Sequence, residues 1–231
     1  MRAAIGPTVW VLGIASFLTD LSSEMIYPLL PLFLTGVLGA STFQLGLVEG
    51  VAEATASILK VVSGFVSDRL GKKRGIILLG YSLSGLVRPL MGLAYAWPMV
   101  LAVRFADRIG KGIRTSPRDA LISQVTPEAF RGRAFGIHRA MDHAGAVCGP
   151  VVAGLLLALP GFDIRRVFFA AFIPAVATIG VLGLFLREPE SIVPPAPPLL
   201  PGRLTALRSD WKRLHPGFKR LLVAVFIFGL G

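Results

Sequence analysis

Asp20 and Glu24 stand four residues apart inside the first long apolar stretch of the chain, Val9 to Gly39, so a helix there carries both carboxylates on one face. A carboxylate near the centre of a bilayer costs at least about 2 to 3 kcal/mol, and it is retained where it faces a wet cavity and takes part in function. The pattern recurs along the chain. Glu49 and Glu53 form a second pair at the same spacing, with Lys60 further on, and Arg104, Asp107, Arg108 and Lys111 follow the periodicity of a single helical face. His138 and Asp142 share a face of a later segment, as do Arg139 and His143. Acids beside flexible cations in a low-dielectric cavity suit the binding and release of protons, which makes Asp20, Glu24, Glu53 and Asp142 the candidates for proton or cation coupling. Arg104 and Arg108 suit the anchoring of an anionic substrate group, or competition with it for the acids, and with Asp107 they are the substrate-binding candidates. Counted by depth, Asp20, Glu24, Glu53, Asp107, Arg108 and Asp142 fall within about two turns of the midplane, so one polar chamber fed by four helices is expected.

The elements that must position these groups are long and apolar. The 231 residues are 54% hydrophobic, include 26 glycines and have a mean hydropathy of +0.70, a composition far from that of a soluble domain. Crossing a hydrocarbon layer takes about 20 apolar residues, and six stretches qualify, near 9–36, 43–66, 75–96, 98–119, 134–158 and 166–186, with Pro117 expected to bend or end the fourth. The first stretch is too long and too acidic for a signal peptide, and it reads as a retained helix. The net charge of +11 would suggest nucleic acid in a soluble protein, but the basic residues fall mainly between alternate apolar segments. Fourteen lie on one side, from Arg2 through Lys73 and Arg131 to Arg220, against Arg165 and Arg166 on the other. That asymmetry predicts a cytoplasmic N-terminus and no nucleic-acid partner. Cys148, the single cysteine, excludes internal disulfides and reads as a buried, inert thiol.

Three regions follow. Residues 1–188 are expected to form a six-helix transmembrane bundle. Residues 189–219 comprise a linker rich in proline from Pro189 to Pro201 and a basic amphipathic helix in which Leu204, Leu207, Trp211 and Leu214 oppose Arg203, Arg208, Lys212 and Arg213. Residues 220–231 read as an incomplete seventh span. Asp68-Arg69 after the second helix and Asp163 to Arg166 after the fifth hint at an inverted relation between helices 1–3 and 4–6.

Gly64, Asp68, Arg69, Gly71, Lys72, Lys73 and Arg74 reproduce the loop signature of the major facilitator superfamily: glycine, three residues, Asp-Arg, one residue, glycine, then basic residues. The fifth segment adds Gly136, Gly145, Gly149, Pro150 and Gly154, which resemble the glycine-proline pattern of the antiporter branch of that superfamily, with Ala153 where the pattern has another glycine. Arg104 matches the family's fourth-helix arginine, whereas Asp107 and Arg108 depart from it. The resemblance implies an all-α membrane fold, a six-helix N-terminal bundle of 3+3 inverted repeats plus the start of a seventh helix. It also implies a gating role for Gly64, Asp68, Arg69, Gly71 and Arg74, with Gly64 allowing close approach of a neighbouring helix. The fifth-helix glycines and proline are then a packing motif, and the second half of the cavity comes from six C-terminal helices or from a second copy.

The function so implied is secondary transport of a small solute by alternating access, coupled to protons, with the lipid bilayer as its medium and no cofactor. The arginines of the fourth helix favour an anionic or zwitterionic solute, while the fifth-helix pattern favours proton-coupled efflux of a drug-like compound. An accessory subunit of a larger membrane complex and a half-size homodimer are the alternatives. An intramembrane metalloenzyme is disfavoured because His138 and Asp142 share a face while His143 lies about 100° from Asp142, so one helix cannot present all three to one ion. No phosphate-binding Gly-x-x-x-x-Gly-Lys-Ser/Thr loop and no His-Glu-x-x-His motif is present, which argues against an ATP-driven pump or a zinc protease.

Overall fold

The computed structural model describes residues 5–70, 73–187, 215–217, 219 and 220. Gly71, the side chains of Asp68 and Arg69, the proline-rich linker, the amphipathic helix and most of the seventh span lie outside the described residues. The chain divides into two compact units, Met1–Pro195 and Ala196–Gly231. In the second, the Lys219 amide donates to the His215 carbonyl at 3.2 Å. All that follows concerns the first.

The first unit contains six long helices and, among the described residues, no strand: α1 (Pro7–Val37), α2 (Thr42–Leu70), α3 (Arg74–Leu93), α4 (Trp97–Val125), α5 (Arg131–Leu157) and α6 (Ile164–Phe185). The six expected spans coincide with these helices. Their ends follow local chemistry. Pro7 and Pro98 occupy first turns, where a missing N–H costs nothing. Ser41 and Gln44 form a reciprocal capping box at the start of α2, the Ser41 amide donating to Gln44 Oε1 at 2.8 Å and the Gln44 amide to Ser41 Oγ at 3.3 Å. Asp163 caps α6 by accepting from the Arg166 amide at 2.8 Å. Within α1, Pro28 and Pro31 remove two ladder donors, and the helix tightens to a 3₁₀ turn at Tyr27–Leu29 and then widens to a π turn at Phe33–Val37.

One boundary differs from expectation. Pro117 neither ends nor bounds α4, which continues to Val125. Its ring is buried, and the preceding turn is tied down on both sides: Thr115 Oγ1 donates to the Lys111 carbonyl within α4 at 2.6 Å, and Ser116 Oγ donates to the Lys60 carbonyl of α2, also at 2.6 Å. By length and composition alone, α1, α3, α5 and α6 are apolar enough to cross a membrane. The two that fall short, α2 and α4, carry many of the charges, and α4 buries most of its own.

Helix α1 packs on α5 and α6, α4 packs on α2 and α3, and α3 meets α6. Exchanging α1–α3 with α4–α6 maps the α1 to α5 contact onto α4 to α2, the α1 to α6 contact onto α4 to α3, and the α3 to α6 contact onto itself, as an inverted repeat requires. The apolar core is split. One cluster gathers Met25, Leu30, Phe33, Val48, Met91, Val100 and Phe168, with Phe33 and Phe168 edge to face at 5.1 Å between ring centres. The other gathers Val9, Leu12, Ile77, Tyr81, Leu121, Ala134 and Leu182 at the opposite end of the bundle. Along α1, α4 and α5, Asp20, the charges from Arg104 to Arg118, Arg139 and Asp142 fall in a layer between the two clusters.

A candidate polar cavity among four helices

The layer contains two clusters, and α4 runs through both. Nearer its N-terminal end, Asp107 is 4% exposed and accepts from Arg88 Nε at 3.0 Å, with Arg104 Nη1 at 3.8 Å. Arg88 also donates to the Thr19 carbonyl of α1 at 3.0 Å. Arg104 reaches both carboxylate oxygens of Glu49 on α2, at 3.0 and 2.8 Å. Four helices are thereby joined around one buried carboxylate. The space beside it, of about 10 Å³, holds at most one water.

Ser84 links this cluster to the next. Its hydroxyl donates to the Asp107 carbonyl at 2.8 Å and accepts from Arg114 Nη1 at 2.7 Å, while the Arg114 guanidinium stacks 4.4 Å from the Tyr81 ring centre. Contact this close requires small residues. A Cβ on Gly80 would stand 2.7 Å from the Gly110 carbonyl oxygen, so α3 and α4 touch through their backbones.

Beyond Arg114 a cavity of about 200 Å³ opens, lined by Asp20 of α1, Lys60 of α2, Lys111, Arg114, Thr115 and Arg118 of α4, and Arg139 and Asp142 of α5. The Asp20 and Asp142 carboxylates lie close enough to interact directly. Asp142 is held by Ser16 Oγ at 2.7 Å and by Arg139 Nη1 at 3.3 Å, and Arg118 donates to Ser16 Oγ at 3.3 Å and to Asp119 Oδ1 at 3.0 Å.

The chamber expected from four helices therefore exists, with a changed membership. Asp20 and Asp142 line it. Arg104 and Asp107 instead belong to the tight ion-pair cluster, where Glu49 and Arg88 already engage them. Arg108 is buried and its Nε has no hydrogen-bond partner among the described residues. Glu24 is half-buried at the α1 to α5 crossing, and Glu53 is exposed on α2 within electrostatic reach of Lys111. Of the packing motif, Gly145 and Gly149 sit against Phe17, Leu21 and Glu24 of α1, where a Cβ on Gly149 would stand 2.6 Å from that of Glu24. Gly136 and Gly154 have no atom within 4 Å of a would-be Cβ, and Pro150 is exposed, so these three face away from the crossing. Gly64 differs from expectation too: a methyl there would make ordinary contact with Ser116 at 3.5 Å, so no close helix approach depends on it. Arg74 donates to the Gly183 carbonyl at 2.9 Å, tying α3 to α6. Cys148 is exposed rather than buried, because its turn of α5 looks outward between Gly145 and Gly149. His138 is fully buried, and neither ring nitrogen has a hydrogen-bond partner among the described residues, which also contain no cluster of three metal-ligating side chains.

Sequence reasoning passed over Arg88. A lone arginine inside an apolar span is itself the signal for a buried partner, and Asp107 is that partner. Ser16 and Ser84 carried no comparable signal.

A profile of the Major Facilitator Superfamily matches residues 12–231. The chain belongs to that superfamily. It is 38% identical over 191 residues to an uncharacterised MFS-type transporter of Methanocaldococcus jannaschii, covering 81% of this chain and 46% of that protein. It is 30% identical over 185 residues to the multidrug resistance protein MdtG of Yersinia enterocolitica, covering 78% of this chain and 44% of that one. The fold matches the crystal structure of a POT family transporter in complex with 5-aminolevulinic acid at a TM-score of 0.71 and 20% identity, over 96% of this chain and 45% of the other. This MFS chain thus spans about half the length of the curated relatives it matches, corresponding to their N-terminal six-helix half.

Proposed function

We propose that this MFS chain supplies one six-helix half of a proton-coupled secondary transporter for a small solute, working by alternating access in a bacterial cytoplasmic membrane with its N-terminus inside. The observation that carries the reading is the pair Asp20 and Asp142, contributed by different helices to one polar cavity among α1, α2, α4 and α5. Two carboxylates lining one cavity among cations form a group that can gain and lose a proton as access alternates. Their helices, α1 and α5, cross at Gly145 and Gly149, so a small shift at that crossing changes the separation of the two acids. The glycines on α5 and the relationship to a multidrug resistance protein support exchange of solute for protons. The facing half comes from six further helices or a second copy, and the Gly64 to Arg74 segment acts as the cytoplasmic gate.

Arg88, Arg104, Asp107 and Glu49 serve this function as a brace. Each charge there is already met, so they hold α1, α2, α3 and α4 in register rather than binding the solute.

The test uses the complete transporter in proteoliposomes loaded with the pH dye pyranine, under an imposed pH gradient, with inorganic phosphate, succinate and ethidium added one at a time as probes. At least one probe is expected to accelerate proton movement. Asp20→Asn and Asp142→Asn should each abolish that acceleration, and Arg133→Gln, an exposed charge outside the cavity, should keep it. Proton movement that ignores every probe, or that survives both carboxamide variants, would refute the proposal.

A further inference from the structure

The charges lining the cavity do not balance. Five basic side chains meet two carboxylates, leaving an excess of three positive charges in a space that lies along the helices between the two apolar clusters. Some of this is locally compensated: Arg118 pairs with Asp119, and Arg139 with Asp142. Arg114 is spoken for by Ser84 and the Tyr81 ring, neither of which carries a negative charge. Lys60 and Lys111 have neither an ion pair within 4 Å nor a side-chain hydrogen bond among the described residues, although both line the cavity. Lys111 is within electrostatic reach of Asp20 and Glu53 but also of Arg108 and Arg114. Half-buried ammonium groups in a cavity where cations outnumber acids repel one another, and an incoming negative group compensates them.

Resting on the transport reading above, we infer that the cavity is an anion subsite in which Lys60, Lys111 and Arg114 hold a carboxylate- or phosphate-type group of the solute. Three elements of the geometry support it. The cations come from α2 and α4, whose backbones are fixed to each other by Ser116 Oγ on the Lys60 carbonyl at 2.6 Å and Ser63 Oγ on the Gly112 carbonyl at 2.9 Å, so the charges are pre-placed. Thr115 adds a hydroxyl to the lining. The volume, about 200 Å³, is below the roughly 300–1,000 Å³ of a complete drug-sized pocket, and it suits one charged group while the rest of the solute lies against the opposite half. The brace around Asp107 has no such room.

Binding of inorganic phosphate, succinate and ethidium to the complete transporter in detergent, measured by isothermal titration calorimetry, tests this. One or both anions should bind, and Lys60→Gln and Lys111→Gln should each weaken that binding at least tenfold, with Lys111→Arg restoring it. Arg133→Gln removes the same charge elsewhere and should leave the affinity within twofold. Phosphate and succinate distinguish the two anion chemistries. Ethidium binding with no anion binding, or equal losses in Lys111→Gln and Arg133→Gln, would overturn the assignment. Probe-driven proton movement by ethidium alone would then leave the transport reading standing, whereas its absence with every probe removes both.

Discussion

At the scale of single residues, an ionisable group inside an apolar span has two fates, and neighbours decide between them. Asp107 is surrounded by Arg88 and Arg104 and has almost no exposure, so its charge is a structural commitment. Removing one partner of such a cluster costs about 3–5 kcal/mol, because the remaining charge stays buried without its counterpart. Asp107→Asn is therefore expected to lower the thermal stability of the detergent-solubilised protein severely, whereas the double variant Arg88→Met with Asp107→Leu should recover much of the loss. Thermal unfolding of the two variants followed by tryptophan fluorescence checks this, and equal instability of both would show that the pair does more than hold its own charges. Asp20 differs because it opens onto a cavity and forms no ion pair within 4 Å among the described residues. The presence of both acids was legible in the sequence, but the difference between them was not. It depends on Arg88, which is distant in sequence and comes from another helix.

At the scale of elements, helix positions were readable because bilayer thickness demands long apolar runs, and all six were found to within a few residues except at the end of α4. That exception has a tertiary cause: proline costs about 3 kcal/mol inside a free helix, but α4 is held along its length by α2 and α3. The fifth-helix glycines show the same limit. Their spacing suggested a packing face, yet only Gly145 and Gly149 meet α1, since residues 136 and 154 lie on other sides of the helix. Gly145→Ala would push a methyl into the Phe17 carbonyl, and a loss of about 1–3 kcal/mol is expected, against about 0.5 kcal/mol or less for Gly154→Ala. Melting temperatures of the two variants in one detergent should separate clearly. Similar values would mean that the crossing can slide to accommodate the methyl.

At the scale of the whole molecule, the orientation proposed from charge can be read by labelling. Cys148 must first be replaced by serine, because it is exposed. In that background, Ser41→Cys and Gly161→Cys, on the loops poor in basic residues, should react with a membrane-impermeant maleimide added to intact cells. Arg131→Cys should react only after permeabilisation. The reverse pattern would invert the assignment and place the basic loops outside.

The sequence alone determined the solvent this chain folds in, the number of spans, their approximate ends and the family, because hydrophobic length, charge asymmetry and a contiguous loop motif are properties of neighbouring residues. Only the tertiary structure decided which charges neutralise one another and which remain facing open space. Asp107 and Lys111 lie one helical turn apart, yet one closes a brace and the other lines a cavity. Coulomb energy in a low-dielectric interior depends on distances between side chains of different helices, and no spacing along one helix contains them.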